Sequence, residues 1–165
     1  MTRVYVSIGS NIQRTQHINA CLDALHGRFA PLTLSPVYES ESVGFAGDNF
    51  YNLVVGFDTR LSVAALAQVL RNIEEANQRK RSGPRFSART LDIDILTYGN
   101  AIGEVDGVQL PRPEIVENAF VLLPLADIAG EEQHPSRRQT YRRLWQDYDQ
   151  TRQKLWPITF PWQPS

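Results

Sequence analysis

The order in which hydrophobic periodicities follow one another in the first 98 residues limits this chain to few folds. "RVYVSIGSN" alternates, with Val4, Val6 and Ile8 facing one way and Tyr5 and Ser7 the other. This is a strand of period two, which Gly9-Ser10-Asn11 should stop as a turn and N-cap rather than as a phosphate cradle. Ile18, Leu22, Leu25 and Phe29 then recur at helical spacing, predicting an amphipathic helix over about residues 14–28 that Pro31 ends. "LTLSPVYES" reads as a second strand distorted at Pro36, because proline donates no ladder hydrogen bond. "SVGFAGDN" reads as a loop and "FYNLVVGFDT" as a third strand. "LSVAALAQVLRNIEEAN" is a second helix, with Leu66, Val69, Leu70 and Ile73 as its buried stripe and Ser62 at its N-cap. A basic loop separates it from a fourth strand around "LDIDILTY".

The order β-α-β-β-α-β is the split βαβ, or ferredoxin-like, pattern of the α/β (α+β) class: an antiparallel four-stranded sheet with helices on one face. The length, 165 residues, suits one domain spanning 1–165. Past Asn100 the chain reads as loop, with a turn at Pro111 and Pro113. Short helical pieces in "EIVENAFVLLPLADIA" and a helix in "RRQTYRRLWQDYD" follow. The tail "LWPITFPWQPS" is expected to lie along the surface or pair at a sheet edge. This helical and extended C-terminal segment covers the second sheet face, or that face is used for binding.

A formal net charge of −1 gives no overall field favouring nucleic acid or an anionic membrane. Cys21 is the only cysteine, so no intrachain disulfide forms and the framework must be a packed core. The start "MTRVYVSIGSN" turns polar too soon for a signal peptide, and no apolar run reaches spanning length. The expectation is a cytoplasmic monomer acting on small molecules, with neither nucleic acid nor membrane as partner.

Within the apolar fourth strand stand Asp92 and Asp94. Residues i and i+2 share a face, so Leu91, Ile93 and Ile95 point at the helices and both carboxylates at the open side. Their Cα atoms lie about 7 Å apart, within reach of one divalent ion or a pair. Magnesium takes oxygen ligands, commonly one or two carboxylates with substrate phosphates completing its shell. The same spacing also serves aspartates that cap helices or pair with surface arginines, so the pair needs context. Arg79, Lys80, Arg81, Arg85 and Arg89 supply it, falling within eleven residues directly before the strand. Arginines grip phosphate bidentately and stabilise charge developing during transfer. A long basic loop broken by Gly83-Pro84 also reads as a lid. Cations beside metal-type carboxylates point to a nucleoside triphosphate.

On the third strand Phe50 and Asn52 share one face, and Tyr51, Leu53, Val55 and Phe57 the more apolar other. Phe50 and Asn52 should therefore face the same side as the aspartates. A ring beside a carboxamide suits a flat heteroaromatic ligand, one stacking and the other pairing with its edge. Phe120 is a candidate for the opposite stacking face.

"RTLDIDIL", "FYNLVV", "VYVSIGSN" and "LPRPEIVENAFVLLPLADIA" together resemble the 6-hydroxymethyl-7,8-dihydropterin pyrophosphokinases of folate biosynthesis, from Val4 to about Ala129. The resemblance implies a transferase of diphosphate groups. It would move pyrophosphate from MgATP to the hydroxymethyl group of 6-hydroxymethyl-7,8-dihydropterin and release AMP. It implies that Asp92 and Asp94 bind two magnesium ions, with Asp92 touching the pterin hydroxyl. It puts Arg79, Arg81 and Arg89 on the phosphates, and Glu74 and Ile95 at the nucleotide. It implies that Phe50 and Phe120 sandwich the pterin, Asn52 bonds its edge, and Ser40 and Val43 add backbone contacts. This chain departs from the family at several positions. Ser87-Ala88 replace Gly-Pro before the strand arginine, and Ser40-Glu41 replace Thr-Pro. Arg112 stands where the family has a histidine near the phosphates, Asn118 where it has an arginine, and Phe50 where tyrosine is usual. Arg112 keeps a positive charge as a nucleotide contact; Asn118 cannot. A pterin- or nucleotide-binding paralogue with reduced or altered activity is the second reading. An RNA-binding module of the same element order is the third, and carboxylates on its binding face speak against it.

Overall fold

The computed structural model describes residues 1–41, 48–77 and 91–163. Strand β1 (Thr2–Ser10) leads into helix α1 (Arg14–Phe29), then β2 (Thr33–Leu34), β3 (Val37–Ser40) and β4 (Phe50–Thr59). Helix α2 (Val63–Asn77) and β5 (Asp92–Tyr98) follow, completing the predicted order. The sheet runs β5-β1-β4-β3 and ends on β8 (Leu155–Ile158), with β2 also paired to β4. All of its pairings are antiparallel.

Several expectations need correction. β1 does not stop at Gly9: it continues through Ser10, pairing Gly9 with Asn52 and Ser10 with Tyr51. The N-cap position of α1 is Gln13, at φ 43°, not Ser10 or Asn11. The second strand breaks in two at Ser35-Pro36, where Ser35 Oγ accepts from the Val54 amide at 2.9 Å. The stretch past Asn100 is no plain loop. It holds a hairpin, β6 (Gly103–Val105) and β7 (Val108–Leu110), turned by Asp106 and Gly107, both at positive φ. That is a two-residue turn twisting with its strands, and Asp-Gly is its signature. Asp106 also accepts from the Ala64 amide at 3.0 Å, so the hairpin caps α2 together with Ser62, which accepts from Ala65 at 3.1 Å. The tail pairs at the sheet edge as β8, one of its two expected places.

Each sheet face has its own core. Val4, Val6, Ile8, Leu53, Val55, Phe57, Leu91, Ile93 and Ile95 pack under α1 and α2. Tyr5, Val54 and Leu96 pack under α3 (Glu114–Glu117), α4 (Ala119–Ala129) and α5 (Tyr141–Asp147). Alternation along β5 sends Ile95 to the first core and its neighbour Leu96 to the second. A bulge where the register against β1 shifts between Tyr5 and Val6 then returns Tyr98 to the first core. Thus the C-terminal segment covers part of the second face, and the part holding the aspartates lies beyond those cores. No helix among the described residues is long and apolar enough to cross a membrane.

Candidate active site

Register brings the predicted residues together. On β1, Gly9 pairs with Asn52 on one side and with Asp92 on the other, while Ser7 lies between Val54 and Asp94. Asp92, Gly9 and Asn52 therefore form a row across three strands, on the part of the second face that none of the described helices covers. The centre of that row has no side chain. A Cβ on Gly9 would lie 3.0 Å from Asn52 Oδ1 and 3.8 Å from Phe50 Cδ1. The carboxamide leans into space that only glycine leaves, which is where strand glycines admit close approach. Asn52 is buried, and its Nδ2 donates to Ser40 Oγ at 2.9 Å, so β3 orients it. Phe50 pairs with Ser40 in the same cluster.

The acidic pair sits on the outermost strand, in a groove shared with Glu74, Ile95, Arg71, Val108 and Arg112. Glu74, near the end of α2, accepts from the Ile93 amide at 2.8 Å and so ties the helix to the strand edge. Burial, and Asp92 beside it, push the Asp94 carboxyl up to about 7, with Arg112 pulling the other way. Two carboxylates held this close resist ionising together and gain from a bound cation. Arg112 supplies one. Its Nη2 lies 3.4 Å from Asp94 Oδ1 and its Nε 3.2 Å from Glu114 Oε2. Among the described residues no three of His, Cys, Asp or Glu are placed to hold a metal ion between them. The donor set is thus two carboxylates with open geometry, which fits a magnesium ion that draws its remaining oxygens from phosphates and water.

The remaining predicted residues lie outside this row. Phe120, in the first turn of α4, packs half-buried against the second core. Asn118 Oδ1 accepts from Gln153 Nε2 at 3.0 Å, and Gln153 Oε1 in turn accepts from the Ala119 amide at 2.8 Å. Its carboxamide is therefore committed to the C-terminal segment. Val43, Arg79, Arg81 and Arg89 lie outside the described residues.

Sequence reasoning missed Gly9, Glu114 and Arg71, and also a brace centred on Arg14. Arg14 Nη1 lies 3.2 Å from Glu39 Oε2 and donates to the Asn49 carbonyl at 3.0 Å, and its guanidinium covers the Tyr51 ring at 3.9 Å. These contacts fasten the end of β3 to the start of β4. No local pattern announces them, since the partners are 25 and 35 residues away.

A model of the 7,8-dihydro-6-hydroxymethylpterin-pyrophosphokinase family matches residues 5–130. The 2-amino-4-hydroxy-6-hydroxymethyldihydropteridine pyrophosphokinase of Pseudomonas aeruginosa is 36% identical over 140 residues, covering 82% of this chain and 86% of that protein. The Bacillus subtilis protein of the same name is 32% identical, covering 77% of this chain and 78% of its own length. In structure, the HPPK-DHPS chain of Plasmodium falciparum crystallised with pteroate superposes at a TM-score of 0.70 with 14% identity. It covers 88% of this chain, which spans only 42% of that longer one, and it speaks to the fold alone. On the family match and these relatives, the chain belongs to the 7,8-dihydro-6-hydroxymethylpterin-pyrophosphokinase family.

Proposed function

We propose that this protein transfers the terminal diphosphoryl group of ATP to the hydroxymethyl oxygen of 6-hydroxymethyl-7,8-dihydropterin. The observation that carries the reading is the row Asp92–Gly9–Asn52, which sets a metal-type carboxylate and a ring-recognising carboxamide on one open face, on either side of a glycine. The family membership and the names of the relatives support the same reaction.

In this reading the pterin lies on the Gly9 floor. Asn52, held by Ser40, pairs with its edge, and Phe50 and Phe120 are the stacking rings. The nucleotide takes the groove beside β5, with Glu74 and Ile95 along it and Arg112 toward its phosphates. Arg79, Arg81 and Arg89 add cationic charge by sequence. Magnesium bound at Asp92 and Asp94 would neutralise and orient phosphate oxygens; two ions are the family expectation. The hydroxymethyl oxygen bonds to the β-phosphorus of ATP, the bond from that phosphorus to the α–β bridging oxygen breaks, and AMP departs. The hydroxyl proton goes to the carboxylate side of the row or to water. Such chemistry rests on positioning and electrostatics rather than on a covalent protein intermediate.

The test is to incubate the protein with ATP, Mg²⁺ and the pterin, measuring AMP and pterin diphosphate. Both should form in equal amounts, and Asp94→Ala should slow them by at least about 10²-fold. Pterin binding with neither product would instead identify a binding paralogue.

A further inference from the structure

Arg112 makes contacts that the proposed reaction does not require. Its amide donates to the Leu96 carbonyl at 2.9 Å, which pins the backbone beside β5. Its side chain is forked, with Nη2 toward Asp94 Oδ1 at 3.4 Å and Nε toward Glu114 Oε2 at 3.2 Å. All three side chains are only partly exposed, at 30% for Arg112 and Asp94 and 38% for Glu114. The other charged groups lining the groove are Asp92, Glu74 and Arg71. A guanidinium has five donors and no lone pair, and it stays charged at every working pH. Placed on Asp94, it neutralises the carboxylate and repels a second cation. The fork also provides a way out. The Glu114 contact uses Nε, so rotation of the outer side chain could carry Nη2 from a carboxylate to a phosphate while Nε keeps its partner.

We propose that Arg112 is a built-in counterion of Asp94 that yields to the nucleotide. Without nucleotide it occupies the Asp94 carboxylate and weakens divalent-cation binding at the acidic pair. Polyphosphate then draws the guanidinium away, so cation and nucleotide load together. The inference rests on the reading of Asp92 and Asp94 as the cation site.

The test is Mn²⁺ binding to the full chain, followed by electron paramagnetic resonance, with and without α,β-methylene-ATP. Without nucleotide, Arg112→Gln should bind Mn²⁺ about three- to fivefold more tightly than wild type, the upper scale of a partly exposed ion pair. Arg112→Lys, which keeps the charge, should stay within about twofold of wild type. Arg112→Gln binding no more tightly than wild type would overturn the proposal, as would equal tightening in both variants. Asp94→Asn separates the two levels. If it leaves Mn²⁺ binding with the analogue unchanged, the acidic pair is not the cation site. If it abolishes that binding while Arg112→Gln has no effect, only the counterion role fails.

Discussion

At the scale of single residues, the site depends as much on a missing side chain as on the groups that surround it. Gly9 sits mid-sheet, where glycine weakens a strand, yet a Cβ there would press to 3.0 Å on Asn52 Oδ1. Gly9→Ala should therefore turn the carboxamide away and raise the floor between it and Asp92. Pterin affinity should fall about tenfold, the cost of one misaligned hydrogen bond, with MgATP affinity unchanged. Paired binding titrations on protein of wild-type melting behaviour check this, and equal losses for both ligands would count against it. The aspartates and Asn52 were legible in the sequence because period two alone assigns faces. Gly9 was not, since "GSN" after a strand reads as a turn until its partner strands are known. Glu114 was hidden for a related reason. It lies twenty residues beyond Asp94 in the sequence, and only the return of the chain past β5 brings Arg112 between the two.

At the scale of elements, the first βαββαβ run was readable because each piece carries a clean period. The hairpin β6–β7 was passed over, although "VDGV" carries the Asp-Gly signal, because strands of three residues are too short to show alternation. The tail was readable only as two alternatives, since an edge strand is chosen by what it covers. β8 pairs with β3 from Val37–Ile158 to Ser40–Leu155, and its Pro157 blunts the new edge. Beyond it, Phe160 meets the Tyr51 ring edge-on and Trp162 Nε1 donates to Asp23 at 2.9 Å. The tail thus straps β3, which carries Ser40, to α1. Ending the chain before Leu155 should strip one side of β3 and loosen the Ser40–Asn52 bond. A loss of about 2 kcal/mol would lower Tm by about 4–8 °C. Pterin affinity should fall with it, while the groove beside β5, at the far side of the sheet, keeps its nucleotide affinity. A truncated chain that melts like the full one would show that β3 needs no strap.

At the scale of the molecule, the two cores are not separable units. Tyr5 and Val54 serve one core, and their strand neighbours Val4, Val6, Leu53 and Val55 serve the other, so opening either face exposes both. A local change in proton binding is therefore felt by the whole fold, and His134 is placed to make one. It is buried in the segment that joins α4 to α5, its ring edge-on to Tyr141. Its Nδ1 accepts from the amides of Ser136 and Arg137, at 3.1 and 3.0 Å. Protonation would replace that acceptor with a donor facing two donors. Burial, and then the charge of Arg137, hold its pKa below the ordinary 6.5. The unfolded chain thus takes up the proton first. The stabilisation from neutral His134 is complete above 6.5 and is lost as pH falls from there through the lowered value of the folded state. His134→Asn keeps an acceptor near the Nδ1 position and removes the titration. Melting temperatures from pH 7 to pH 5 should fall less steeply for His134→Asn than for wild type, and the curves should converge toward the acid end. Parallel curves would mean that protonating His134 costs the fold nothing, and that another group sets its acid limit.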